Sequence, residues 1–524
     1  MTGPVPPPRV EHLRRIMRRH EGRVDACVVG CGAAGSVLAK ELAEGGMSVV
    51  VLEAGDWLDS REDFVNDELS MLGPLDWDDL RIVDGKDPIG TGRVNTGRAV
   101  GGSTVHFTAV AVRLHPDDFR VASTDGVAVD WPFGYDELAP YYAEVERTLP
   151  VSGPRRSAYP SGAPYPHGEL PWSAKDDVIG AGLAKLGLNV EMTPHAIATT
   201  NVDGRSACMY YGFCKNGCKS DAKGGAHVSY VPRAVAAGAE IRPGCFVLRI
   251  ESDAGRATGV TYLEEGEERF QAAERVFVSC YSIETPRLLL RSELANSSDQ
   301  VGRNLMTHTG ALVYGRFDRP LDSFVTPPVG VMTMDPYGTQ PGRPFARGYW
   351  LNTYAQFPID FAHTLVDGNP DLWGGELMEV LDEYAHWGLL SALGEVLPSP
   401  ENRVTLDDER DEHGVPVARI TFSFGENDRA IVDAGTELAT RALEAAGATR
   451  IVTSEGTPHL LGSCRMGTDP DASVVGPDCR SHDVPNLWIC DGSVFPTGGA
   501  VNPSLTIEAL ATRTARLTLE RSAA

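Results

Sequence analysis

Residues 25–55, DACVVGCGAAGSVLAKELAEGGMSVVVLEAG, constrain the fold more than any other stretch of the chain. An apolar run ends at Gly30, and glycines follow at Gly32 and Gly35. Apolar residues then recur at helical spacing, with Val37, Leu38 and Leu42 on one face, before a second apolar run ends in Glu53. The pattern predicts a buried strand, a glycine turn, a helix and a second strand, the opening of a βαβ unit. In the turn, Gly30 allows a tight bend and Gly32 lets backbone approach a pyrophosphate. Gly35 lets helix and strand pack closely, with Ala34 beside it in the first helical turn. The helix N-terminus would face the phosphates. Glu53 stands 23 residues after Gly30, where a carboxylate can accept from ribose hydroxyls. NAD and FAD proteins share such a loop, so it predicts a dinucleotide without choosing between them.

A chain of 524 residues, 42% hydrophobic and 23% charged, has globular composition and length enough for two or more domains. Its 72 acidic and 47 basic residues leave a net charge of -25, which repels nucleic-acid phosphates and anionic lipid headgroups. That charge is a solvated acidic surface or a field that draws in a cationic substrate. The proline-rich start and the pairs Arg14-Arg15 and Arg18-Arg19 resemble an export signal only superficially. No apolar segment of ~7 to 15 residues follows them, and nothing reaches the ~18 apolar residues of a membrane span. The chain is expected to be cytoplasmic, with its ten cysteines reduced unless a cluster of them binds something.

Further strands are predicted in AEIRPGCFVLRIE, ATGVTYLE, ERVFVSC and NLWICDG, with a helix in IETPRLLLRS and another beginning near Pro503. Two irregular stretches between them carry no dinucleotide signature. The expected division is a discontinuous cofactor-binding domain of residues 1–119, 231–310 and 455–524, and a substrate-binding domain of residues 120–230 and 311–454.

The segments GRAVGGSTVHFTAVAVRLHPDDF, WPFGYDELAPYY, IETPRLLLRS, VGRNLMTH and HLLGSCRMG with NLWICDGSVFPTGGAVNPSLTIEALATR, in that order, resemble the glucose-methanol-choline (GMC) oxidoreductase family. The resemblance runs from about residue 25 to about 518. It implies an α/β fold in which an FAD-binding, Rossmann-like domain is interleaved with a substrate domain built on an antiparallel sheet with helices. It also implies that Asp491 and Gly492 contact the ribityl and phosphate side of the flavin, that Val247 meets the adenine through its backbone, and that Gly101, Gly102 and Ser103 lie along the isoalloxazine. His106 corresponds to a histidine that some members bond covalently to the flavin and others only pack near it; packing is the reading taken here.

By the same resemblance His459 and Asn502 face the reactive edge of the flavin. An alcohol carbon gives up hydride readily only if its hydroxyl proton leaves too, and a neutral imidazole suits that proton. Asn502 could hydrogen-bond the hydroxyl or the developing alkoxide without competing for the proton. Pro503 disfavours helical geometry at Asn502 and is itself a good first helical residue, so a helix is expected to start at the site, its positive end toward the flavin.

Cys208, Cys214 and Cys218 lie in SACMYYGFCKNGCKSDAKGG, which resembles a loop of bacterial glucose and gluconate dehydrogenases, some of which hold a three-iron cluster. Iron-sulfur ligation, a structural loop over the flavin and a disulfide are the alternatives. The function implied is oxidation of a CH–OH group of a hydrophilic alcohol such as a sugar, polyol or aminosugar. Oxygen, a quinone or a redox protein would take the electrons. A lyase or silent flavoprotein on the same scaffold, or a sterol-type alcohol oxidase, is the alternative.

Overall fold

Strands Val24–Val29 and Val49–Leu52 pair in parallel, Ala26 opposite Val49 and Val29 opposite Leu52, with the helix Ala33–Glu44 between them in sequence. The computed structural model describes residues 9–70, 75, 79–90, 96–162, 164–324 and 327–523; the proline-rich start at 1–8 lies outside the described residues. Val28, Val37, Leu38 and Val50 are fully buried here, and each such side chain contributes about 1.5–3 kcal/mol relative to exposure. Strand Glu240–Arg242 extends the sheet beyond Val49–Leu52, while the end of strand Glu267–Val278 and then strand Leu487–Ile489 extend it beyond Val24–Val29, all in parallel. The first half of Glu267–Val278 instead runs antiparallel to Arg256–Glu264, which pairs in turn with Cys245–Asp253.

The second body of the molecule is a six-stranded sheet in the order Arg450–Gly456, His308–Arg316, Trp387–Glu395, Tyr349–Tyr354, Val329–Thr333, Glu191–Met192, antiparallel throughout. The helix Glu426–Ala446 packs across its face with Ile431, Ala439 and Leu443 inward. A parallel sheet and an antiparallel second sheet are therefore both present, in the α/β arrangement the resemblance implies.

Further elements pack around the two sheets. Strand Arg81–Asp84 pairs in parallel with Pro416–Thr421, which pairs antiparallel with Arg403–Arg410, and helix Tyr281–Arg291 packs on both of the latter strands. Helix Tyr135–Thr148 packs along the last helix, Ser504–Ala523. Strand Arg450–Gly456 spans the expected boundary at 454/455 and runs on through Pro458 to His459. No helix among the described residues is long and apolar enough to cross a membrane.

Candidate active site

A cavity of about 1950 Å³ runs from the parallel sheet to the antiparallel one. At its first end the wall is backbone. A Cβ on Gly35 would collide with the carbonyl oxygen of Gly30, so only glycine lets the helix Ala33–Glu44 start this close to its strand. A Cβ on Gly102 would come 2.7 Å from the Cα of Gly32, so the two glycine loops touch and close one side of the cavity. Glu53 is buried at this end, where one carboxylate oxygen accepts from Cys31 N at 2.7 Å and the other from Gly55 N at 2.9 Å. Burial pushes its carboxyl up to about 7 even though those two amides pull the other way.

Gly30, Gly32, Ala34, Glu53, Gly102, Ser103, His106, Val247, Asp491, Gly492, Asn502, Pro503 and His459 all line this cavity. Gly35 and Gly101 stand behind the wall; Gly101, in the left-handed region at φ +105°, precedes the short turn Gly102–Val105. His106 Nε2 donates to the Thr96 carbonyl at 3.0 Å, which holds its ring in the wall. The Val247 carbonyl accepts from the Arg291 guanidinium.

Asp491 lines the cavity and is oriented by three donors. Its Oδ1 accepts from Ser493 N at 2.8 Å, and its Oδ2 accepts from Tyr281 N at 2.9 Å and Thr285 Oγ1 at 2.6 Å. The carboxylate thus satisfies an amide at the start of helix Tyr281–Arg291 and knots that helix to the final loop.

At the other end the wall is made of side chains. Met306 and Leu461 exchange two backbone hydrogen bonds of 2.8 Å, and His308 N donates to the Pro458 carbonyl at 2.9 Å, so segments 306–308 and 458–461 are zipped together. His459 sits in this zipper with φ +68°, a conformation uncommon outside glycine but several-fold enriched for histidine, which turns its ring edge to the cavity. Asn502 Nδ2 is 2.9 Å from His459 Nε2. Asn502 is followed by Pro503 and then by the helix Ser504–Ala523, with Ile507 N bonded to the Pro503 carbonyl at 2.9 Å. The enclosing wall, and secondarily His308 beside it, hold the His459 imidazole well below its usual range, so it is neutral at pH 7. His308, quoted above only as the end of VGRNLMTH, is the residue that sequence reasoning left without a role: its Nδ1 lies 3.0 Å from His459 Nδ1. A histidine closing a motif and opening a strand was the available signal.

The three loop cysteines lie outside this cavity, around a small separate hollow. Cys208 Sγ accepts from Tyr210 N and Cys218 Sγ from Lys223 N, each at 3.4 Å, and burial pushes the Cys214 thiol up to about 12. Among the described residues no group of three or more His, Cys, Asp or Glu side chains is arranged to hold a metal, and all ten cysteines are free thiols. Lys223, buried below the loop, donates to the carbonyls of Val105 at 2.8 Å and Phe107 at 3.2 Å and also to that of Cys214. The loop thereby braces the segment that carries His106.

The family model described as GMC oxidoreductase matches residues 24–310 and, in its C-terminal part, residues 398–511. The chain is similar to 2-methyl-1,2-propanediol dehydrogenase of Mycolicibacterium austroafricanum, at 32% identity over 532 residues covering 94% of each chain. It is similar to paromamine 6'-oxidase of Streptomyces fradiae, at 32% identity over 527 residues covering 95% of this chain and 92% of that protein. Among solved structures it is similar in fold to pyridoxine 4-oxidase from Mesorbium loti, with a TM-score of 0.68 at 20% identity, over 94% of this chain and 98% of that one.

Proposed function

The chain belongs to the GMC oxidoreductase family, and from that premise we propose that it oxidises a CH–OH group of a hydrophilic alcohol with FAD as its cofactor and His459 as the base. The observation that carries the reading is the 2.9 Å contact of Asn502 Nδ2 with His459 Nε2 at the edge of the same cavity whose far end holds the glycine loops and Glu53. The residues present fit FAD. The glycine loops leave a side-chain-free cradle for a pyrophosphate, and Glu53 lines the cavity with both oxygens oriented by backbone amides, able to accept from a ribose. Gly102, Ser103 and His106 would lie along the ring, and Val247 near the adenine. When bound, FAD supplies a two-electron acceptor for the hydride that leaves the carbinol carbon.

The chain's own residues handle the proton. A substrate hydroxyl entering between the two side chains donates to His459 Nε2, which takes its proton, and accepts from Asn502 Nδ2, which stabilises the oxygen as charge develops on it. The depressed basicity of His459 keeps the ring neutral before the substrate arrives. The start of helix Ser504–Ala523 adds a positive dipole end beside the reaction.

The substrate class proposed is a sugar, polyol or aminosugar, with an aminosugar favoured. Asp367, Asp433, Glu437 and Glu455 line the cavity from the antiparallel-sheet side and are solvent-exposed. On the same side Lys215 is held by Asp360 at 2.8 Å, so carboxylates outnumber cations along this approach. This gives the overall negative charge a location at which it could attract an ammonium-bearing ligand. We propose a discontinuous cofactor-binding domain of residues 1–119, 231–310 and 455–524 and a substrate-binding domain of residues 120–230 and 311–454. The test is to add sugars, polyols and aminosugars to the yellow protein without oxygen. Bleaching of the flavin absorbance by at least one of them is expected, and a spectrum that stays oxidised with all of them overturns the reading.

A further inference from the structure

His308 opens the strand His308–Arg316 and is fully buried. Its Nε2 lies 2.7 Å from the carbonyl oxygen of Gly499. A carbonyl can only accept, so the proton between them is on Nε2. Burial pushes His308 down to about 4, so its ring carries no second proton at neutral pH and its Nδ1 is a lone pair. That lone pair faces His459 Nδ1 at 3.0 Å, and the hydrogen between the two nitrogens must therefore belong to His459. A neutral imidazole with its proton on Nδ1 has its lone pair on Nε2, the nitrogen that meets Asn502 at the cavity.

We propose that His308 is a positioning residue: by passing on the polarity of the Gly499 carbonyl, it locks His459 in the tautomer whose Nε2 can accept a proton. The inference rests on the reading of His459 as the base. The Gly499 peptide is itself clamped from its other side. Gly499 N donates to Glu395 Oε1 at 3.1 Å, Glu395 Oε2 accepts from buried Arg347 Nε at 2.7 Å, and Ala500 N donates to the Tyr337 hydroxyl at 3.1 Å. The carbonyl that sets the order of protons is thus fixed by a buried ionic group rather than by a mobile loop. A histidine that merely filled space would not need both ring nitrogens bonded in the one order that leaves the neighbouring Nε2 without a proton.

The test uses the holoenzyme labelled with ¹⁵N-histidine, with the His459 signal assigned by its loss in His459→Ala. The wild type is expected to show a pyridine-type Nε2 and a pyrrole-type Nδ1 for His459. His308→Gln, whose amide can donate to Gly499 and accept from His459, should keep both that pattern and a flavin reduction rate within a few-fold of wild type. His308→Leu, which removes the acceptor, should mix the tautomers and slow reduction on the order of 100-fold with KM little changed, since a wrongly protonated base can lose up to ~10⁴-fold. A protonated Nε2 on wild-type His459, or unchanged tautomer and rate in His308→Leu, overturns the proposal. Should His308→Leu not fold, the wild-type signal and His308→Gln still decide it. If His459→Ala reduces flavin at the wild-type rate, it is the base assignment that fails, and the tautomer signal then judges His308 alone.

Discussion

Around Gly30 and Gly32 the cavity wall is peptide backbone, joined by the Gly102 loop, and even its carboxylate, Glu53, is oriented by the amides of Cys31 and Gly55. Around His459 the wall is assembled from segments distant in sequence: His308 from a strand of the antiparallel sheet, His459 from the chain leaving that sheet, and Gly499 and Asn502 from the loop before the last helix. The difference follows from what each end must do. Holding a phosphate chain requires close approach and many weak donors, which backbone provides as long as no Cβ intervenes. Moving a proton requires one nitrogen with a chosen protonation state, which only side chains bonded in a fixed order can provide.

The sharpest way to break this contrast is at its catalytic end. His459→Ala is expected to slow flavin reduction ~100-fold or more, the usual scale for a general base, while the protein stays yellow because the cradle is untouched. The same residue sets a pH signature. Because its basicity is depressed in the fold, the ring stays neutral as pH falls through 6.5, and stopped-flow reduction should stay flat there and decline only well below the ordinary imidazole range. A loss of activity centred near 6.5 would show that His459 is not so enclosed.

At the backbone end the next largest effect is expected from Glu53→Gln. A neutral amide in place of the carboxyl weakens the hydrogen bonds that a ribose would donate to it, a loss of about 2 kcal/mol, roughly 30-fold in FAD affinity. Equilibrium binding should register the change while the rate at saturating FAD stays near wild type. A rate loss with unchanged affinity would mean that the two ends are not separable.

Much of the backbone end is legible in residues because it is local. The strand, turn, helix and strand of residues 25–55 lie in one window, and Gly30, Gly35 and Glu53 keep their spacing whatever the rest of the chain does. The side-chain end is legible only where motifs name it, at His459 and Asn502. His308 closes a motif, but its role is not legible there, because that role comes from a carbonyl 191 residues away and an imidazole 151 residues away. Asp491 is a similar case. Beside the ligand contact implied for it, its carboxylate also accepts from Tyr281 and Thr285, in a helix more than 200 residues earlier in the chain. The further elements also escape local reading: nothing in Pro416–Thr421 announces that it will pair with Arg81–Asp84.

Asn502→Ala tests the side-chain end without removing its base. The lost hydrogen bond to a developing alkoxide is worth about 1.5 kcal/mol, so flavin reduction should fall about tenfold, with the His459 tautomer unchanged because that is set from its other nitrogen. A loss as large as that of His459→Ala would mean that Asn502 also holds the ring in place.

The smallest effect is expected at the mouth, where neither backbone order nor tautomer matters, only charge. Asp433 and Glu437 stand one turn apart on the helix Glu426–Ala446, exposed and facing the approach to the cavity. Neutralising both as Asp433→Asn and Glu437→Gln should raise KM for an ammonium-bearing sugar about threefold at low salt, since exposed pairs of charges are worth only ~0.2–1 kcal/mol. The difference from the unsubstituted protein should vanish as the screening length falls from about 8 Å at physiological ionic strength to about 3 Å in 1 M salt. A neutral sugar should show no such change. If both sugars lose affinity together, or if salt leaves the difference intact, the mouth selects by shape and the preference for a cationic substrate falls, while the proton chemistry at His459 stands.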